Sequence, residues 1–96
     1  MDINVKTAMI ERLAMEREIN RSNYTTQAFQ LGKQYVELCE SLGKRDKERI
    51  MDSIGSFYVE LTFLCMQEGL DMEQCIEHGY SELKKSYMTD KAVEGL

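Results

Sequence analysis

The 96-residue sequence contains no proline and no tryptophan, only six glycines and a single histidine. Without proline, nothing covalently built in breaks a long helix, and no rigid polyproline-type segment can form. The chain lacks a Gly-rich phosphate loop, a nucleophile elbow and an HExxH pair, which removes the commonest signatures of P-loop enzymes, α/β-hydrolases and zinc proteases. No run approaches the roughly 18 apolar residues that a membrane span needs. The amino-terminal stretch Met1-Asp2-Ile3-Asn4-Val5-Lys6 has neither a long apolar core nor a cleavage site, so the expectation is a cytoplasmic protein without a membrane partner. Positive charge is the scarcer sign, with 12 Lys and Arg against 17 Asp and Glu and a net charge of -5. That balance argues against a nucleic-acid partner held through its phosphates. The five tyrosines are not interleaved with a basic patch, which argues against base stacking as well.

Cysteine is present in an odd number, three, with no CxxC spacing. Cys39, Cys65 and Cys75 all fall in apolar helical stripes, where a thiol behaves as a small hydrophobe, and they read as buried free thiols of a reducing compartment. Cys75 and His78 stand three apart on one helix, but no second pair completes a four-ligand zinc site. No metal site is expected from these residues.

What the sequence does contain is helix former, punctuated at regular intervals. The first helix is expected from about Asp2 to Ile19, ended by the polar break Asn20-Arg21-Ser22-Asn23. The second starts at Thr25 or Thr26, either of which can cap it, and closes at Leu42 with Gly43 taking the left-handed position. Asp46 caps a third helix over Lys47 to Glu68, followed by Gly69. Asp71 caps a fourth, with Gln74 three residues on as in a capping box, and this helix frays near Tyr87. The spacing therefore predicts an all-α four-helix bundle, with one domain over 1–87 and a flexible tail over 88–96.

Helical-wheel arithmetic places Ala28, Leu31, Tyr35, Leu38, Cys39 and Leu42 on one stripe of the second helix. In the third, Ile50, Ile54, Phe57, Tyr58, Leu61, Leu64 and Cys65 form a core stripe. A second apolar strip, Val59, Phe63 and Met66, lies on nearly the other side. A helix apolar on two sides must be covered twice. One cover comes from the same chain, and the other is expected to be a second subunit, so Val59, Phe63 and Met66 are the predicted interface of a dimer or larger oligomer.

Two segments carry a resemblance. The first is Leu31-Gly32-Lys33-Gln34-Tyr35-Val36-Glu37-Leu38-Cys39-Glu40-Ser41-Leu42. The second is Asp52-Ser53-Ile54-Gly55-Ser56-Phe57-Tyr58-Val59, continuing through Leu61, Gln67-Glu68-Gly69-Leu70-Asp71 and Cys75-Ile76-Glu77. In apolar spacing, turn and helix length they resemble the MazG-like nucleotide pyrophosphohydrolases from about Thr26 to Lys85. The resemblance implies a MazG-like bundle with oligomeric packing. In that family E-E-x-x-E on one helix and E-x-x-D on the next bind magnesium, which activates water to cleave a nucleoside triphosphate into monophosphate and pyrophosphate.

Mapped onto this chain, the first motif falls on Lys33, Gln34 and Glu37, and the second on Ser53 and Ser56. Only Glu37 keeps its acid, and the formal charge of the five positions is zero. Mg²⁺ is a hard cation that demands oxygen ligands, and an ammonium group among them repels it. Lys33 can instead pair with Glu37 at i,i+4. Further along, Gly79-Tyr80-Ser81-Glu82-Leu83-Lys84 keeps the family's lysine at Lys84, while Ser81 replaces its asparagine.

These replacements imply a pseudoenzyme without cofactor that acts by binding a protein, such as a regulator or inhibitor of a host protein in a phage or mobile element. An alternative is nucleotide binding without turnover, with Lys33, Glu37, Glu60 and Lys84 as contacts. A third is a weakened Mg-dependent hydrolase using Glu37 and Glu60.

Overall fold

A computed structural model describes residues 2–19 and 23–94, with side chains placed through Met88. The described residues are all-α, in four helices: α1 (Ile3–Glu16), α2 (Tyr24–Lys44), α3 (Lys47–Gln67) and α4 (Met72–Glu94). Each start is set by a short polar side chain that accepts from otherwise unpaired amides of the first turn. Asp2 accepts from the Asn4 amide, Asn23 from Thr26, Asp46 from Glu48 and Arg49, and Asp71 from Glu73. The cap of α2 is thus Asn23 and not Thr25 or Thr26, because the residue just before Tyr24 reaches the free amide of Thr26. Most of the expected polar break, Asn20 to Ser22, lies outside the described residues.

The helix ends differ from expectation in three places and agree in one. Gly43 does not terminate α2, which continues through Lys44. The left-handed residue is Arg45, at φ 58°, with its amide donating to the Leu42 carbonyl. At the end of α3 the glycine is used: Gly69 sits at φ 68°. Its amide donates to Met66 O while Leu70 N–H donates to Cys65 O, the paired bonds of a Schellman ending. Helix α1 stops at Glu16, earlier than Ile19, and Glu18 turns the chain at φ 57°. Helix α4 runs on past Tyr87 to Glu94, so the segment expected as a tail is helical there, and Gly95 and Leu96 lie outside the described residues.

Helix α3 stands in the middle. The antiparallel α2 packs along one flank and α1 along another, and those two barely meet each other. Bonds from Thr7 to Tyr58 and from Gln67 to the Ile19 carbonyl run α1 parallel to α3. Helix α4 touches the rest only through its first turns and then departs, giving the molecule extents of 54 × 35 × 31 Å. Its radius of gyration is 16.3 Å, against about 12.5 Å for a compact chain of this length.

The interior is unusually polar. Thr7, Gln27, Ser41, Ser53 and Thr62 are buried, while the buried apolar residues are Ala14, Cys65 and Met72. Of the two stripes expected to form the core, that of α2 is largely open, with Tyr35 and Leu42 more than half exposed and Cys39 an exposed thiol rather than a buried one. In that of α3, Ile54 is exposed, Ile50, Phe57, Tyr58, Leu61 and Leu64 are half-buried and Cys65 is buried. The reason is angular. At about 100° per residue the buried polar positions of α2 and α3 sit roughly 80–90° from each apolar stripe. Small and amide-bearing residues occupy the contact line, and the apolar stripes are turned beside it.

Gln27 is the test of this arrangement, since it bonds to two side chains of α3. Replacement by Ala leaves Glu60 and Gln67 without that partner inside the protein. Gln27→Ala is expected to lower stability by about 2 kcal/mol, a fall of roughly 10 °C in Tm for a domain of this size, as read by circular dichroism. An unchanged Tm would remove the polar contact line as a source of stability.

Candidate functional site

The contact line between α2 and α3 is a ladder of polar rungs. Gln27, Gln34 and Ser41 recur every seven residues on α2, as do Ser53, Glu60 and Gln67 on α3, the spacing that keeps one seam facing a partner helix. Antiparallel packing sets Ser41 opposite Ser53, Gln34 level with Glu60, and Gln27 opposite Gln67. The Ser41 hydroxyl donates to the Glu37 carbonyl at 2.8 Å. Its single proton being committed, Ser41 must accept from Ser53, 3.1 Å away. At the other end Gln67 Nε2 donates to Gln27 Oε1 at 3.0 Å and to the Ile19 carbonyl at 3.2 Å. Gln27 Nε2 in turn donates to the Glu60 carboxylate at 2.5 Å and to the Glu60 carbonyl at 3.1 Å. One amide relay therefore ties the end of α1 to α2 and α3.

Beside the ladder lies a cleft of about 780 Å³, lined on α1 by Ile3, Lys6 and Ile10, on α2 by Gln34, and on α3 by a stretch that includes Asp52, Ser56, Val59 and Glu60. Gln34 Oε1 is buried without a hydrogen-bond partner in the protein. The charges lining the cleft are Lys6, Asp52 and Glu60, one positive against two negative.

The positions singled out by the motif comparison separate into three groups. Gln34 and Ser56, with Glu60, line the cleft. Ser53 is buried beneath the ladder, its hydroxyl bonded to Ser41. Lys33 and Glu37 are exposed on α2, and Lys33 borders a shallow apolar depression with Phe29, Gln30, Gly32 and Val36. They do not form the ion pair that their spacing permits; among the described residues such i,i+3 or i,i+4 pairs join Arg12 to Glu16 and Lys85 to Glu82. Lys84 stands apart on α4, its ammonium 5.8 Å from the Tyr80 ring centre, so the structure does not gather Lys33, Glu37, Glu60 and Lys84 around one ligand. Val59, Phe63 and Met66 are half-buried, and Val59 lines the cleft. The residues that sequence reasoning passed over are Gln27 and Thr7, although the seven-residue recurrence of polar side chains was legible.

These donors do not fit the magnesium site that the resemblance implies. A magnesium ion requires several hard oxygens converging at near-octahedral angles. Here the Ser53 oxygen is engaged with Ser41, the Glu60 carboxylate with Gln27, and Glu37 lies outside the cleft lining. Among the described residues, no three of His, Cys, Asp and Glu come together in a way that suits a metal ion.

Away from the cleft, Cys65 and Cys75 bring their sulfurs to 3.8 Å where α3 passes into α4. Burial, then the hydrogen bond and charge of Cys75, push the Cys65 thiol up to about 11. Only the thiolate is nucleophilic, so at pH 8 about one Cys65 in a thousand is in reactive form. Iodoacetamide at pH 8 is expected to alkylate exposed Cys39 at least about tenfold faster than Cys65, with the Cys65 rate still climbing toward pH 11. Peptide mass spectrometry after timed labelling checks this, and equal rates would contradict the burial of Cys65. Compared with family models, curated proteins and solved structures, the chain matches none.

Proposed function

We propose that this chain is a MazG-like protein without turnover, which acts by binding protein partners. The observation that carries the reading is the closed ladder between α2 and α3. Where the resemblance calls for an open, acidic, metal-holding seam, Ser41 is bonded to Ser53 and Gln27 to both Gln67 and Glu60, while Gln34 Oε1 and Gln67 Oε1 are buried without a partner in the protein. A carboxylate cluster needs a cation to offset its repulsion, and neutral side chains at Gln34, Ser53 and Ser56 take away that need. The polyphosphate substrate loses its metal bridge along with the cluster. What the protein still offers is surface: Phe29 and Met51 are among its most exposed side chains, at 81% and 71%. Large exposed apolar areas are typical of binding surfaces.

A second reading, nucleotide binding without turnover, draws on the cleft, whose volume falls in the range of small-molecule sites. Its lining weighs against a triphosphate, because Lys6 is outnumbered by Asp52 and Glu60 and neither Lys33 nor Lys84 reaches in.

Two measurements separate these readings. Purified protein incubated with a panel of nucleoside triphosphates and Mg²⁺ or Mn²⁺ is expected to release no pyrophosphate above the protein-free blank. Release that disappears in Glu37→Gln would overturn the proposal in favour of a hydrolase. The same nucleotides in EDTA are expected to leave Tm unchanged. A rise that grows with nucleotide concentration, as ligand linkage requires, would favour the second reading.

A further inference from the structure

Cys65 and Cys75 belong to neither the ladder nor the cleft, and the binding role proposed above does not use them. Their sulfurs lie 3.8 Å apart across the α3–α4 turn. A disulfide bond is about 2.05 Å long, so joining them needs an approach of about 1.8 Å. The fold leaves room for that movement. Cys65 sits in the last turn of α3 and Cys75 in the first turn of α4. The turn between them carries Gly69 at φ 68°. Beside them lies an open groove of about 380 Å³, lined by Leu61, Leu64, Glu68, Leu70, Met72 and Ile76. Helix α4 is packed on the other helices only through its first turns, so it can follow a shift of Cys75 as a rigid body.

The two thiols also differ in kind. Cys75 is half-buried, whereas Cys65 is 8% exposed. Burial, then Cys75, Asp71 at the turn and Glu11 on α1, hold Cys65 as the neutral thiol. Glu68, which lines the groove, adds a further negative charge nearby. Cys75 is therefore the thiol that an oxidant from solvent meets first, with Cys65 in place to follow.

We infer that Cys65 and Cys75 are a redox-active pair, oxidised by a small-molecule disulfide such as oxidised glutathione to a bond that staples the start of α4 to the end of α3. The Cys75 thiolate attacks one sulfur of the oxidant, forming a mixed disulfide and expelling one glutathione thiolate. The Cys65 thiolate then attacks Cys75 Sγ, closing the Cys65–Cys75 bond and expelling the second glutathione thiolate. Each cysteine gives its proton to water. Two electrons pass from the pair to the oxidant, which leaves as two thiols. The second step is intramolecular between residues ten apart in the chain, and sulfurs already in contact favour it over attack by another molecule. The inference stands apart from the binding role, since it needs neither a partner nor the cleft.

The test uses the full chain with exposed Cys39 changed to serine, which leaves a single pair of thiols. Equilibration with reduced and oxidised glutathione is expected to give a product lighter by about 2 Da, the two hydrogens lost, whose peptide map joins Cys65 to Cys75. A bond that the fold favours stabilises the fold in return, so the oxidised chain is expected to melt at least about 5 °C above the reduced one. With Cys65→Ser added, the mixed disulfide on Cys75 is expected to persist. With Cys75→Ser added instead, Cys65 is expected to take up glutathione at least about tenfold more slowly than Cys75 does. Glutathione adducts in place of the mass loss, an oxidised chain that melts no higher than the reduced one, or equal uptake at the two cysteines would overturn the assignment.

Discussion

The hydrogen-bonded contact between α2 and α3 governs the rest of the molecule. Two helices that meet through Ser41 and Ser53 approach closely, and their amide-bearing rungs fix the register. Sliding α3 by one turn would pair no rung with its partner, and a buried amide left unpaired costs about 1–3 kcal/mol. Specificity of register is thus bought with polar residues in a place where most bundles use leucine. The apolar residues so displaced do not vanish from the sequence; they gather on the sides of the pair, where α1 covers only part of them.

The same contact bears on the chemistry. Of the positions mapped to metal ligands in the family resemblance, Ser53 is structural in this chain, held to Ser41, and nearby Glu60 accepts from Gln27. A carboxylate at position 53 would be buried against a hydroxyl whose only proton is already given to Glu37 O.

Much of the secondary structure was legible in advance because it rests on local chemistry. Asp46 and Asp71 announce helix starts by their side-chain acceptors, and Gly69 announces an end by its tolerance of positive φ. Gly43 misled because the helix continues one residue further, through Lys44, and the left-handed residue is Arg45 instead. The stripes of α2 and α3 were read correctly as apolar, and the α3 stripe is partly interior through Cys65, but Tyr35, Leu42 and Ile54 are more than half exposed. Periodicity reports which side chains share a face and is silent on which face meets a neighbour in the same chain. The polar recurrence at Gln27, Gln34, Ser41 and at Ser53, Glu60, Gln67 held that second piece of information, since only residues that satisfy each other can be buried together. Of the candidate site, the scarcity of acids at the mapped positions was visible from residue types alone. The closure of the ladder was not, because it depends on which rung stands opposite which.

The turn at Glu68–Asp71 turns α4 into a lever. Twenty-three residues of helix span about 34 Å, pivoting on Gly69 and braced by the 2.7 Å bond from Leu70 N–H to Cys65 O. A swing of about 10° at that pivot carries the far tip about 6 Å, more than one helical turn. Any rearrangement around the two sulfur atoms would thereby be magnified at the far end of α4.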